Sequence, residues 1–408
     1  MRSKMGVGAA VTAVVAAAVV AGCGSSGDGG GGSSSKSKEP LVVGLVSPQG
    51  GALATMGVDA IRGWQIAADE VNARGGVDGH KVKLVLRDTN NTPDMTIRQA
   101  RAAVTKDGAH YLGAILTSGE TGALAPQLAS MRAVNLVSIS KDDVVTGESC
   151  SPNMYRTTSS GSMDIEAAAS VLAKLPAKKW ATQTIDTVYG HSATKTFAEY
   201  ARKAGKQVVS SQYSPIGTTE FGSNISKILD SGADGLFVIE SGADGVAFVK
   251  QASQFKLFDK VKSVLSDSTL FDPSFKAMGD PIVGWYSKVT YAPTLDNPMN
   301  KAFVAAWKKK YGSEPWYVPA ESYIAAQFLF DAVRKAKSVD VEKVKAAMNT
   351  LSMDTIGGQL RMRPGDHQAL RDVAVGRIVK QADGVGWKIV GSVPPDKTTS
   401  GPSPACKM

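Results

Sequence analysis

The chain reads as an α/β protein built from two doubly wound, parallel-sheet lobes, and three observations predict this. Short, continuously apolar runs alternate with stretches whose apolar residues recur at helical spacing, as parallel βαβ units require. The alternation begins near residue 41 and extends over about 370 residues, more than one core comfortably holds. Hydrophobic residues make up 43% of the 408 and charged residues 20%, an ordinary globular balance that excludes a disordered or fibrous chain.

The first strand covers residues 41–47, an apolar run that ends in turn residues and suits burial on both sheet faces. A helix follows with Ile61, Trp64, Ala68 and Val71 on one side and Arg62, Asp69 and Glu70 elsewhere on the wheel. Gly75 and Gly76 stop it. Residues 82–88 form the second strand and 94–106 the next helix. Two short buried strands, 111–116 and 134–138, flank a third helix. The pattern resumes with a strand at 183–186, a helix at 192–204 and a strand at 207–213. A helix at 224–229, a strand at 235–239, a helix at 244–255 and a strand at 262–265 continue it.

Forty-six basic residues against 37 acidic ones give a formal charge of +9, without a run of five like charges. That describes a solvated mixed surface, so no nucleic-acid partner is expected. The N-terminus points to export. Arg2 and Lys4 precede a small apolar run over 7–20, too short to span a bilayer but suited to a secretory leader. It ends in Val20-Ala21-Gly22-Cys23, which resembles a bacterial lipobox. That resemblance implies a signal peptide over 1–22, with Cys23 carrying lipid and tethering the chain to the outer face of the cytoplasmic membrane. Residues 23–40 would be a Gly/Ser linker, of which about 15 residues reach roughly 20 Å as a flexible coil. No later segment reads as a membrane span, so the lipid is the only expected membrane contact.

Enzyme signatures are mostly missing. The four histidines, His80, His110, His191 and His367, share no i, i+4 spacing, and no zinc, calcium or P-loop motif occurs. Gly190-His191-Ser192-Ala193-Thr194 lacks the glycine a nucleophile elbow needs at Thr194, so Ser192 is read as a helix N-cap. Asp366 beside His367 is read as structural hydrogen bonding. No catalytic residue, metal or cofactor is expected.

Other segments carry a resemblance. Ala67-Ala-Asp-Glu-Val-Asn-Ala-Arg-Gly-Gly-Val-Asp-Gly79, followed by Val82-Lys-Leu-Val-Leu-Arg-Asp88, is similar to the opening of type I periplasmic solute-binding proteins. The nearest are the leucine/isoleucine/valine-binding-like proteins of ABC importers. Pro48-Gln-Gly-Gly51, Tyr155-Arg-Thr157, residues 186–190 and residues 303–315 extend the likeness across about residues 41–395. The resemblance implies lobes joined by a three-crossing hinge, with crossings near Thr157, Thr290 and Ile356. The N-lobe would then comprise 41–157 and 291–356, and the C-lobe 158–290 and 357–395, with a tail at 396–408.

Ligand is expected in the cleft, beyond the carboxyl ends of the strands. Thr117 and Ser118 match the family position that holds a ligand carboxylate, though either also suits a helix N-cap. Ser140, Lys141 and Asp142 match a second N-lobe contact. Lys141 and Asp142 depart from the small residues usual there and read equally as charges on a loop rim. Tyr189 matches a lid tyrosine, with a core aromatic as its alternative. Glu240 with Ser241, and Asp267 beside Ser268, stand where a carboxylate would meet a ligand ammonium or cap a helix. Met56 lies where relatives often carry an aromatic, which puts a plain branched-chain ligand in doubt. With Cys23 lipidated, two thiols remain in an oxidising setting, and a Cys150–Cys406 disulfide is expected to pin the tail to the N-lobe.

These readings imply a small-molecule receptor for ABC permease subunits, binding an amino acid or similar small carboxylate. Amides, urea or small aromatic acids are alternative ligands. A ligand-sensing signalling receptor and an exported hydrolase built on Ser192 are alternative classes.

Overall fold

The structure, a computed structural model, describes residues 38–408 apart from Asp383 and Ser400. The expected leader, Cys23 and all but the last three linker residues lie outside the described residues. The first stretch of chain runs β1 (Leu41–Val46), α1 (Ala54–Ala73), β2 (Val82–Arg87), α2 (Pro93–Asp107), β3 (Tyr111–Gly113), α3 (Ser118–Leu124), α4 (Leu128–Met131), β4 (Val134–Val137) and β5 (Met154–Arg156). The second runs α5 (Gly161–Ala169), β6 (Lys179–Ile185), α6 (Val188–Lys203), β7 (Gln207–Ser214), α7 (Gly222–Asp230), β8 (Gly235–Ile239), α8 (Gly242–Gln254), α9 (Leu257–Lys260), β9 (Ser263–Ser266), α10 (Asp272–Met278) and β10 (Tyr286–Val289). Then come α11 (Pro298–Tyr311), α12 (Tyr317–Ala336), α13 (Val341–Met348), β11 (Ser352–Thr355), β12 (Gly358–Arg363) and β13 (Gln368–Leu370). β14 (Val373–Gln381), β15 (Gly384–Val393) and α14 (Pro395–Thr398) close the chain.

Two sheets result. The first has the order β11-β12-β13-β5-β4-β3-β1-β2 and the second β15-β14-β10-β9-β8-β6-β7. Strands β1 to β5 pair in parallel, as do β6 to β10, with helices between them. Each sheet carries antiparallel strands at one edge, all from the last quarter of the chain. The fold is thus the two-lobed α/β arrangement expected, with mixed rather than purely parallel sheets.

The chain leaves the first sheet after Arg156, returns after Val289 and leaves again after Leu370. This corrects the third boundary, expected near Ile356. Ile356 and Gly357 instead form the turn of the β11–β12 hairpin, where the Thr355 hydroxyl donates to the Gly358 carbonyl at 2.6 Å. A turn there looks like a departure, but the hairpin reverses and adds β12 and β13 to the edge at β5. The true crossing is Arg371–Asp372. α6 likewise starts four residues before the expected Ser192, because Thr187 caps it by accepting from the Gly190 amide at 3.1 Å.

The first lobe's core is organised by α1 lying on α12. Trp64, fully buried on α1, meets Phe330 of α12 edge-on with ring centroids 6.5 Å apart. Gly63 lets the two backbones approach, since a Cβ there would run into the Pro319 carbonyl oxygen. Gly63→Ala is therefore expected to lower stability by about 1–3 kcal/mol through overpacking, read as a lower thermal midpoint. Alanine is otherwise the better helix former by up to about 1 kcal/mol, so a raised midpoint would show that the helices are not in this contact.

The expected Cys150–Cys406 disulfide is present, with Cα atoms 5.4 Å apart. Among the described residues no helix is long and apolar enough to cross a membrane.

Candidate functional site

The carboxyl ends of β1, β3 and β4 in one lobe face those of β6, β8 and β9 in the other. Between them lies a cavity of about 300 Å³, at the small end of the range for ligand pockets. Leu53, Met56, Leu116 and Ile139 line it from the first lobe, and Ile185, Val188, Tyr189 and Ile216 from the second. Tyr317, at the start of α12, completes the apolar wall.

Six of the ten expected ligand residues line this cavity: Met56, Thr117, Ser118, Lys141, Tyr189 and Ser241. Thr117 also caps α3. Its hydroxyl accepts from the Glu120 amide at 3.3 Å and donates to the Glu120 carboxylate at 2.8 Å, and its own amide donates there at 3.2 Å. The capping box commits the Thr117 side chain. Ser118 is freer: its oxygen accepts from the Asp142 amide at 3.0 Å, so its hydroxyl proton stays available to the cavity. Ser241 donates to the Ser268 carbonyl at 2.9 Å.

The other four do not line the cavity. Ser140 is turned inward to Thr121 at 2.5 Å and the Leu116 carbonyl at 3.2 Å. Asp142 accepts from the Val144 amide at 2.8 Å and from the Ser192 hydroxyl of α6, which ties the lobes together. Ser192 is thus not the expected N-cap, and the neighbouring His191 ring bonds Asp186 at 2.7 Å instead of the Ser192 hydroxyl. Glu240 lies under the floor, accepting from Gln183 at 2.8 Å and Ser214 at 2.6 Å. Burial pushes its carboxyl up to about 7 against those two bonds. Asp267 accepts from the Tyr189 hydroxyl and sits 3.2 Å from the Lys288 ammonium. Neither acid lines the cavity: Asp267 is taken by Tyr189 and Lys288, and Glu240 is buried beneath the floor with both donors on Oε1 and its Oε2 unpartnered.

Lys141 and Asp267 belong to one buried charge cluster beneath the cavity. The Lys141 ammonium, from the loop after β4, donates to Ser159 at 2.8 Å and lies 3.0 Å from Asp164 on α5. Asp164 also accepts from Lys288 on β10 and from the Ser159 hydroxyl. Two ammoniums and two carboxylates balance, with the side chains of Asp164 and Asp267 at most 1% exposed and those of Lys141 and Lys288 at most 6%. Burial pulls Lys141 down to about 8, with Asp164 pulling the other way. Burial would raise Asp164, but Lys141 and Lys288 outweigh it and hold its carboxyl near 2. For Lys288, burial loses to Asp164 and Asp267, which keep its ammonium above the ordinary lysine value. Tyr189 is pushed well above a normal phenol by burial and by Asp267.

Several lining residues carried no local signal. Asp244 faces the cavity from the first turn of α8 and accepts from the Gly217 amide at 2.6 Å. Asn91 and Tyr317 arrive from a loop and a helix start distant in sequence, while Ser268, which the sequence places beside Asp267, lines the cavity itself. Asp366 and His367 are structural: Asp366 pairs with Arg363 at 2.7 Å, and His367 stacks on Tyr155 with centroids 3.9 Å apart. Among the described residues no cluster of three His, Cys, Asp or Glu side chains is placed to hold a metal.

Residues 40–384 match the family model described as periplasmic binding protein. The chain is similar to Leu/Ile/Val-binding protein homolog 7 of Brucella abortus, 26% identical over 327 residues that cover 76% of this chain and 81% of that protein. A solute-binding protein of an ABC transporter from R. palustris, solved in complex with 4-hydroxybenzoate, superposes with a TM-score of 0.81 at 25% identity, covering 88% of this chain and 98% of that one. The leucine-, isoleucine-, valine-, threonine- and alanine-binding protein of Brucella ovis, in its closed conformation, gives a TM-score of 0.80 at 19% identity over 91% and 99% of the two chains.

Proposed function

The chain belongs to the periplasmic binding protein family, as an exported solute-binding protein of ABC importers, and we propose that its solute is a small carboxylate with an apolar, aromatic body. The charge arrangement carries this reading. Lys141 is the sole basic side chain among the described residues lining the cavity, and Asp244 the sole acidic one. Lys141 spends two donors on Ser159 and Asp164, which leaves its third N–H for a ligand anion beside the Ser118 hydroxyl. The acids expected to meet an α-ammonium do not line the cavity, while leucine, isoleucine, methionine and tyrosine side chains make up most of the remaining wall. The 4-hydroxybenzoate held by the R. palustris protein is a ligand of this kind.

Binding without turnover follows from lobe closure. Contacts that a ligand makes to both lobes exist only when the cleft is shut, so ligand shifts the hinge equilibrium by its differential affinity. The closed form is then what permease subunits receive. The leader over 1–22, ending just before Cys23, supports a lipid tether on the outer face of the cytoplasmic membrane, and mass spectrometry of the Cys23 peptide tests for the diacylglycerol.

A second reading, an α-amino acid, is favoured by Asp244, whose carboxylate faces the cavity. A thermal-shift panel of benzoate, 4-hydroxybenzoate, benzamide, urea, leucine and phenylalanine separates the readings. A ligand at about 100 times its Kd stabilises the native state by about 2.7 kcal/mol. The two benzoates are expected to raise the melting temperature and benzamide, urea and leucine to leave it unchanged. Stabilisation by the amino acids alone would transfer the assignment to the Asp244 reading.

A further inference from the structure

The C-terminal tail joins the two lobes a second way. β15 belongs to the second sheet, and α14 packs on α5 of the same lobe with Thr398 buried. From Thr399 onward the partners change. The Thr399 hydroxyl accepts from Arg363 of β12 at 2.9 Å. The Pro402 ring covers Gly365 in the β12–β13 turn, where an added Cβ would lie 2.8 Å from its Cγ. Ser403 faces Gly147, and Cys406 is bonded to Cys150. All of these belong to the first lobe. The tail therefore starts on one lobe and is covalently fastened to the other.

Its fastening point matters for the site. Cys150 lies on the loop between β4 and β5, which also carries Lys141, Asp142 and Asp143. That loop makes the closing bonds of the cleft: the Lys141 carbonyl accepts from the Gly161 amide at 2.6 Å, and Asp143 accepts from the Ser162 amide at 3.2 Å and from its hydroxyl. Gly161 permits the approach, since its Cα faces both the Tyr189 ring and the Lys141 carbonyl.

We propose that the tail, fastened at Cys406, is a fourth connection between the lobes, holding the Lys141 loop in its ligand-facing position and biasing the clamp toward closure. Three peptide crossings at the hinge permit rotation; an anchor outside them must be undocked for the lobes to part. The disulfide keeps an undocked tail close to its seat, so redocking is intramolecular. Ligand that binds the closed form has its apparent Kd divided by the closed fraction, so a tail that raises this fraction tightens binding. Cys406, Thr399 and Pro402 are positioning residues in this scheme. The argument is independent of which solute binds.

The test compares the intact chain with its Cys150→Ser, Cys406→Ser double variant, and with wild type reduced after folding and then reoxidised. Amide hydrogen exchange at Gly161 and Ser162 in ligand-free protein reports cleft closure directly. The double variant and the reduced protein are expected to exchange there roughly three- to tenfold faster, with the apparent benzoate Kd weakened by the smaller factor by which the closed fraction falls, and reoxidation is expected to restore both. Should the double variant fail to fold, the reduced wild type decides. Should benzoate bind neither form, exchange at Gly161 and Ser162 decides alone. Unchanged exchange at these amides, alongside a lower melting temperature, would make the bond a stability staple and overturn the proposal.

Discussion

Asp164→Ala is expected to cost about 3–5 kcal/mol of stability, because it removes the one carboxylate that two buried ammoniums share. Lys141 and Lys288 both reach Asp164, and both side chains are at most 6% exposed. Asp267 remains for Lys288, but Lys141 keeps only the Ser159 hydroxyl. The native carboxyl is held near 2, below its unfolded value of about 3.9. The stability it contributes is therefore complete above about pH 4 and is lost as pH falls toward 2. Urea unfolding at neutral pH reads the loss as a lower midpoint. Pairing Asp164→Asn with Lys141→Met leaves the Lys288–Asp267 pair intact and is expected to recover most of it, since replacing a whole buried ion pair is far milder than breaking one. An alanine variant as stable as wild type would mean that the lysines are solvated and no buried cluster exists.

The same cluster marks the boundary of what the sequence makes legible. β1 is readable because six consecutive residues are apolar or glycine, and α2 because Thr92, Pro93 and Gly108 punctuate its ends. Thr117 is readable as a cap because Glu120 stands three residues on. Partners within four residues leave a spacing signature. Asp164 and Lys288 are 124 positions apart, and Tyr189 and Asp267 are 78 apart. No local pattern announces that the acids at two strand ends turn away from the cavity toward protein donors. Asp267 and Glu240 stand after β9 and β8, where a ligand contact would, but lysine and tyrosine donors reach Asp267, glutamine and serine donors reach Glu240, and neither lines the cavity. The third crossing was missed for a related reason. A strand-length segment followed by a Gly-Gly turn reads the same whether the chain crosses over or folds back on its own sheet.

Lys141→Met is expected to weaken benzoate binding roughly 10- to 100-fold, which corresponds to about 1.5–3 kcal/mol for a hydrogen bond to a charged group. Methionine fills much of the lysine stem's volume, and Asp164 keeps Lys288, so the cavity wall should persist. Benzamide carries no charge for the ammonium to recognise, and any weak binding it shows is expected to be unaffected.

The pH profile supplies a sign that packing loss cannot mimic. Burial sets the Lys141 ammonium near 8 in the free protein, with Asp164 on α5 and Glu321 on α12 favouring the charge and Lys288 on β10 opposing it. An anion binds the charged form, so wild-type affinity for benzoate is expected to be full below pH 8 and to fall as pH rises through it. Binding near pH 8 must then take up a proton, seen by calorimetry as a heat that depends on the buffer's ionisation enthalpy. This lysine's effect on stability runs the opposite way. Its native value lies below the unfolded one of about 10.4, so between these values the unfolded chain holds more protons and native stability rises with pH. Affinity falling while stability rises assigns the titration to a buried lysine that touches the ligand. A benzoate affinity flat from pH 6 to about 9.5, the window that spans the shifted lysine, would remove Lys141 from the anion site.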